Sequence, residues 1–288
     1  MRRSWTIAVA CAAGIALALP VLIAWTFWPA SPAGPCVIAA GPTVLPGIDE
    51  SSGLAVSRHH PDLLWTHNDS GSDAVLFALD TAGRIRGRVR VPVRTRDWED
   101  VSAARCPSGD CLYIADIGDN KQMRARVQIY RVPEPEPGDA QTAAPEVFNA
   151  TYVDGPHNAE AMFVAGADLF IVTRDRAGGV YRASLPSSRG GDLTFQRLGQ
   201  LGLAAVSDAE AFRDGASVIV RTSHEAVFYR TSELLRGGST PYFRLRIDGL
   251  REPQGEGIAV DGNMLYLSSE GRWNRGGWFM SLRCQLPE

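Results

Sequence analysis

A short acidic motif recurs five times along this chain, and no other feature restricts its fold as tightly. It reads Glu50-Ser51-Ser52-Gly53-Leu54-Ala55, then Asp97-Trp98-Glu99-Asp100-Val101-Ser102, then Asn158-Ala159-Glu160-Ala161-Met162-Phe163. It returns as Asp208-Ala209-Glu210-Ala211-Phe212 and as Gln254-Gly255-Glu256-Gly257-Ile258-Ala259. Successive copies lie 46–61 residues apart. Between them run short β-rich stretches divided by Gly, Asp, Asn and Pro, without the 3.6-residue period of a long helix. Repeats of this length in a chain of short strands indicate the blades of a β-propeller.

The parts of each repeat follow in the same order. The motif opens an innermost strand. Second strands are expected at 63–67, 112–116, 169–173, 218–222 and 264–268, and third strands at 75–79, 127–132, 179–183, 226–230 and 278–282. Outer strands are expected at 85–91, 146–153, 194–198 and 242–247, but the last repeat runs out of chain after its third strand. Residues 37–44 form an unassigned strand at the other end, and supplying the missing outer strand would close the ring. The fold expectation is therefore all-β: a propeller of five four-stranded blades over residues 36–288. A sixth blade within the 61-residue interval is the alternative, although residues 133–144 read as a surface loop.

Ahead of the repeats, Arg2 and Arg3 precede an uncharged run from Trp5 to Trp28. Those 24 residues suffice to cross a bilayer as a helix. The arginines place its start in the cytoplasm, and Trp25, Phe27 and Trp28 form an aromatic belt at its outer end. Residues 1–30 are read as a signal-anchor, or as a signal peptide cleaved near Ser31-Pro32-Ala33, and residues 31–35 as a linker. Either way the propeller lies outside the cytoplasm, on the cell membrane or secreted. The net charge of −3 and the single lysine, Lys121, give no basic patch for nucleic acid. Arginine in place of lysine, with abundant Ala, Gly and Pro, reads as a GC-rich bacterial genome.

Cysteine usage agrees with export. Cys106 and Cys111 flank the turn Pro107-Ser108-Gly109-Asp110 and are placed to clip one hairpin. That leaves Cys36 beside the first strand and Cys284 beside the last third strand, neighbours if the ring closes as described. The alternative is four buried thiols.

Aligned, the motifs place Ser52, Glu99, Glu160, Glu210 and Glu256 in one column and Glu50, Asp97, Asn158, Asp208 and Gln254 two residues earlier. Positions two apart on a strand share a face, so both columns should converge on the channel mouth. Converging carboxylates need protons, cationic partners or a metal ion. The expected metal ligands are Glu99, Glu160, Glu210 and Glu256, helped by Asp97 and Asp208, and hard oxygen donors suit Ca²⁺. Two readings compete with a metal: acids that accept backbone N–H groups, or arginines that neutralise them.

The loops after the second strands should surround this ring. They include His67-Asn68-Asp69-Ser70-Gly71, Asp116 to Lys121, Arg174, Arg221 and Glu270. His67, Asn68, Asp116, Arg174, Arg221 and Glu270 are the candidates for contact with a small anionic ligand, arginine being suited to phosphate or carboxylate. His59-His60 falls on the opposite-face turn. No nucleophile elbow, zinc-protease helix or phosphate-binding lysine loop is present.

The segments at 50–55, 97–100 and 255–258 resemble the SdiA-regulated β-propeller family, over about residues 45–285. That resemblance implies a membrane segment ahead of an exported propeller, with calcium in the propeller. The chain is more distantly similar to gluconolactonase-like propellers, which implies a divalent metal on Glu256, and to the calcium-activated apyrases and propeller phytases. The function expected is an exported propeller that binds Ca²⁺ and presents a face to a ligand or protein. The alternative is a metal-dependent hydrolase of phosphate esters or lactones.

Overall fold

Valine, leucine, isoleucine and alanine dominate the strands nearest the motif, and in the structure those strands are buried on both faces. The computed structural model describes residues 34–187, 189–271 and 276–287. The apolar run from Trp5 to Trp28 and its proposed cleavage site lie outside the described residues, as does Arg272. Among the described residues no helix is long and apolar enough to cross a membrane.

Among the described residues, twenty strands account for almost all of the regular structure. The first unit is β2 (Ser51–Val56), β3 (Leu63–Asn68), β4 (Val75–Asp80) and β5 (Ile85–Arg90), paired in that order when β1 (Cys36–Leu45) is set aside. The second is β6 (Trp98–Cys106), β7 (Gly109–Asp116), β8 (Val127–Pro133) and β9 (Glu146–Tyr152). The third is β10 (Ala159–Ala165), β11 (Asp168–Thr173), β12 (Gly179–Ser184) and β13 (Gly191–Gln200). The fourth is β14 (Val206–Ala211), β15 (Ser217–Thr222), β16 (Glu225–Arg230) and β17 (Phe243–Arg246), with the five-residue helix α1 (Thr231–Leu235) before its last strand. The last is β18 (Gln254–Asp261), β19 (Met264–Glu270) and β20 (Gly277–Cys284), completed by β1 in the order β1-β20-β19-β18.

Within each unit all pairings are antiparallel. Burial declines outward. β2 is buried along nearly its whole length, whereas β5 alternates between covered and exposed residues. This gradient arises because inner strands are covered on both faces by neighbouring units and outer strands meet solvent. Five clusters of buried apolar side chains fill the seams between successive units. The last joins Leu45, Tyr266 and Phe279 to Leu54, Leu64 and Phe77, so the chain's end packs on its beginning.

β1 closes the circle by pairing with β20, with Cys36 directly opposite Cys284. These two cysteines are disulfide-bonded across 248 residues, and Cys106–Cys111 clips the β6–β7 hairpin. One pairing departs from the sequence reading. β13 begins at Gly191, earlier than expected, and runs parallel to β9 from Gly191↔Phe148 to Phe195↔Tyr152. The outer edges of the second and third units thereby merge into one eight-stranded sheet, which protects two edges that would otherwise expose unpaired backbone groups.

Candidate cation site at the channel mouth

Each inner strand begins with the same irregularity. Its pairing with the second strand skips between Ser51 and Leu54, Trp98 and Asp100, Ala159 and Ala161, Val206 and Asp208, and Gly255 and Ile258. A bulge of this kind re-aims a side chain out of the sheet's alternation. The residues so turned are Ser52, Glu99, Glu160, Ser207 and Glu256. Hydrogen bonds confirm the equivalence of the two serines: Ser52 Oγ donates to Glu99 O at 2.6 Å, and Ser207 Oγ donates to Glu256 O at 3.0 Å.

The column therefore holds three glutamates, and the sequence alignment slips in the fourth unit. Ser207 occupies the place assigned to Glu210, which sits three residues further along β14. The slip has a simple origin. Asp208-Ala209-Glu210-Ala211 is spelled like Asn158-Ala159-Glu160-Ala161, but the bulge that sets register falls at Ser207.

Below the bulges, acidic side chains satisfy backbone groups that no strand can reach. Asp208 Oδ2 accepts from Leu54 N at 3.2 Å and Ile258 N at 2.6 Å. Glu210 accepts from Val56 N at 3.2 Å and Val260 N at 2.7 Å. Asp100 accepts from Val101 N and Met162 N, both at 2.6 Å. An innermost strand has no neighbour on its axial edge, so its N–H groups need such acceptors. Asp208 and Glu210, expected among the metal ligands, are committed to this role. Asp100 and Asp208 also face each other closely enough that each carboxylate acts on the charge of the other, and among the described residues Asp208 Oδ1 is buried without a hydrogen-bond partner. Burial drives both pKa values up, that of Asp208 to about 7 and that of Asp100 well above the carboxyl range. A Cβ at Gly53 would collide with Asp100, so the glycine opens the axis to this pair.

At the mouth the three glutamates divide. Arg174, just after β11, forms an ion pair with Glu160 and lies 3.6 Å from Glu256. Glu256 also accepts from Gln254 Nε2 at 2.9 Å. Here the expected arginine does neutralise carboxylates. Glu99 is different. It is only 4% exposed, and among the described residues no donor reaches its carboxylate. Instead it converges with Asp69, from the loop after β3, and Asp97, just before β6. One carboxylate oxygen from each residue lies within 4.8 Å of the others.

The surroundings hold this trio in place. Asp116, buried at the end of β7, accepts from Arg96 N at 2.9 Å, Asp97 N at 3.3 Å and Arg124 Nη2 at 2.7 Å. Arg124 also donates to Gly118 O at 2.7 Å. Asp116, expected at the ligand face, is thus placed to position Asp97. Gly118 lies against Glu99 and Asp97 so closely that any Cβ there would overlap both carboxylates.

Several other expected ligand contacts are structural. His67 is fully buried, its Nδ1 3.0 Å from Asn68 O and its ring edge-on to Trp98. Burial lowers its pKa to about 4, so it stays neutral near pH 7. Asn68 ties Glu50 N to Gly47 O. Arg221 is buried and donates to Gly257 O, Ser268 O and Glu252, binding the fourth unit to the last. Glu270 remains half-exposed beside the trio. Beyond the trio a cavity of about 490 Å³ is lined by Arg96, Asp97, Asp119, Lys121 and Arg124, among others. Asp69 and Asp100 are the acidic positions at the mouth and on the axis that the repeat alignment did not single out. Asp69 lies in a loop with no repeated partner, and Asp100 follows the glutamate column.

The electrostatics are those of an acidic cluster that arginine offsets only in part, Arg174 acting on Glu99 and Glu270 and Arg124 on Asp97. Burial, then Asp69, Asp97 and Glu256, push Glu99 well above the carboxyl range. Burial raises Asp69 to about 6, and burial with Glu256, Asp69 and Glu50 raises Glu270 to about 7. A carboxyl whose pKa is higher folded than unfolded stabilises the fold below its unfolded pKa, and that stability is lost as pH rises through the folded value. For the metal-free chain this window runs from about 4, the ordinary carboxyl range, to about 6 and 7 for these groups. His67 acts in the opposite sense below its ordinary value, offsetting part of the effect. The melting temperature in EDTA is expected to be several degrees lower at pH 8 than at pH 6. Melts showing equal or greater stability at pH 8 would contradict this account of the cluster.

No family model matches the chain, and no curated protein matches it. Among solved structures it is similar to hydrazine synthase of Kuenenia stuttgartiensis, with 12% identity, a TM-score of 0.39, and coverage of 79% of this chain and 58% of that one. It is similar to the Dos1 propeller at 10% identity and TM-score 0.38, covering 81% and 57%. It also resembles a chain of the mitotic checkpoint complex at 13% identity and TM-score 0.42, covering 81% and 63%. The chain spans about three-fifths of the length of these structures. The fold class rests on the chain's own strands: the radial order within each unit, the filled seams and the closing β1–β20 pair define a β-propeller.

Proposed function

We propose that this protein is an exported five-bladed propeller that holds a divalent cation of the calcium type at Asp69, Asp97 and Glu99. It would present the surrounding face to an anionic ligand or protein partner. The observation that carries this reading is the Glu99 carboxylate: buried, without a protein donor among the described residues, and aimed at two further carboxylates. Burying an ionised carboxylate without compensation costs several kcal/mol or forces it to take up a proton. A cation removes that penalty, and the all-oxygen donor set favours a hard ion such as Ca²⁺. Glu256 and Glu270 stand close enough to raise the negative potential at the site.

Each four-stranded unit is counted as one blade, with β1 completing the last. The N-terminal apolar run would anchor the propeller or direct its secretion, in keeping with the resemblance to the SdiA-regulated family. The cavity beside Asp97 brings Lys121, Arg96 and Arg124 near the cation, which suits a phosphate or carboxylate. A metal-dependent hydrolase would use the same cation and cavity. Turnover of a phosphate ester or lactone by the calcium-loaded chain, absent from Glu99→Gln, would establish that reading.

Calcium at millimolar concentration is expected to raise the melting temperature of the full chain at pH 8 by several degrees, since an ion that binds only the folded state stabilises it. Glu99→Gln should abolish that response and, by removing an unpaired charge, should melt no lower than the wild type in EDTA. A full calcium response in Glu99→Gln would place the ion elsewhere.

A further inference from the structure

On the opposite end of the propeller from the acidic mouth, the turn between β2 and β3 carries two adjacent histidines. His59 Nε2 and His60 Nε2 both face Glu136, which lies in the connection from β8 to β9. Their separations from its two carboxylate oxygens are 3.8 Å and 3.5 Å. The imidazole rings stand at right angles with centroids 4.7 Å apart, and each Nε2 lies against a different oxygen of the one carboxylate. One ligand atom from each of the three residues falls within 4.8 Å of the others. His60 Nε2 is buried and, among the described residues, has no hydrogen-bond partner.

These distances are too long for good hydrogen bonds and close to those between ligands of one small ion. With bonds of about 2.0–2.1 Å, the edge of a tetrahedral zinc site is roughly 3.3–3.4 Å. The position is also built before any ligand arrives. Glu134 accepts from Arg58 N and His59 N, each at 3.1 Å, and from Trp65 Nε1 at 2.8 Å. Ser57 Oγ accepts from His60 N at 2.7 Å and in turn contacts Glu134. Glu136 is fixed by its own turn, in which its N–H donates to Asp139 Oδ2 at 3.0 Å while Asp139 N donates to Glu136 O at 3.0 Å. These contacts fix the backbone that carries the two imidazoles and the carboxylate, so the three side chains start from set positions.

We propose that His59, His60 and Glu136 form a Zn²⁺-binding site that ties the first unit of the propeller to the second. Two imidazoles and a carboxylate are a donor set that zinc prefers and calcium does not. His59 and Glu136 are themselves well exposed, with side-chain exposures of 59% and 63%, so the fourth coordination position faces solvent and takes water or an exogenous ligand. The site is separate from the acidic mouth, and its test does not depend on the cation proposed there.

The experiment is a titration of the tag-free full chain with Zn²⁺, and in parallel with Co²⁺, in the presence of saturating calcium. One zinc per chain is expected, with the visible d–d bands of tetrahedral cobalt(II). His60→Gln and Glu136→Gln should each weaken binding at least tenfold, while Glu99→Gln should bind zinc like the wild type. Melting curves of the two variants in EDTA, matching the wild type, would show that they fold. Unchanged zinc affinity in both variants would overturn the proposal. So would the absence of a zinc equivalent on the wild type, or loss of zinc in Glu99→Gln alone.

Discussion

Replacing Asp208 with alanine is expected to cost about 3–5 kcal/mol of stability, the largest effect of any single substitution on the propeller axis. The change leaves Leu54 N and Ile258 N without their acceptor, and both lie in the buried centre of the ring. It also removes the carboxylate whose charge, after burial, holds the Asp100 pKa up. Each orphaned buried donor costs about 1–3 kcal/mol, and the two belong to different units, so the ring loosens where the first, fourth and last units meet. Asp208→Asn keeps a carbonyl oxygen for the same two donors. It should cost less than half as much and should reduce the fall in stability above neutral pH, because Asp208 no longer titrates. Urea or thermal unfolding of the two variants checks this. Equal stability of Asp208→Ala and the wild type would show that the axial carboxylates do not support the ring.

Removing the Cys36–Cys284 bond, as Cys36→Ser with Cys284→Ser, is expected to lower stability by about 3–5 kcal/mol, as for other cross-links that close very long loops. The bond spans 248 residues and fastens the outer strand of the last unit to its neighbour. For a domain of this size that corresponds to a melting temperature lower by roughly 10 °C. The loss should appear as earlier release of β1 from β20, visible as faster hydrogen exchange across residues 36–45 ahead of global unfolding. Removing Cys106–Cys111 should matter less, about 2 kcal/mol, because that bond closes only a hairpin. If the double serine variant melts with the wild type, β1 is held by its hydrogen bonds and packing alone.

The fold was legible because the repeated motif and the turn residues between strands carry the same period, and because the unassigned strand before Ser51 had only one place to go. Closure and both cysteine pairs followed from that geometry. The parallel contact of β9 with β13 was hidden, since Gly191 and Asp192 have no β propensity and are drawn into a strand only by the neighbouring edge. The site was legible by residue type more than by register. A β-bulge adds a residue without changing the local spelling, so Glu210 passed for a counterpart of Glu160. Arg221 and Asp116 were read as facing the mouth because strand ends lie there, yet their long or charged side chains turn inward to satisfy backbone groups. Asp69 gains its meaning only from a neighbouring unit. Its partners Asp97 and Glu99 are about 30 residues away in sequence, and no periodicity within its own loop announces it.

The central claim, that the acidic mouth is a calcium site, is tested most directly by calorimetric titration of calcium into the EDTA-stripped full chain at pH 8. The account predicts one strong site per chain, weakened at least tenfold by Glu99→Gln and by Asp97→Asn, and unchanged in Glu210→Gln if that variant folds. Absence of calcium binding at millimolar concentration, or a site indifferent to Glu99, would contradict it.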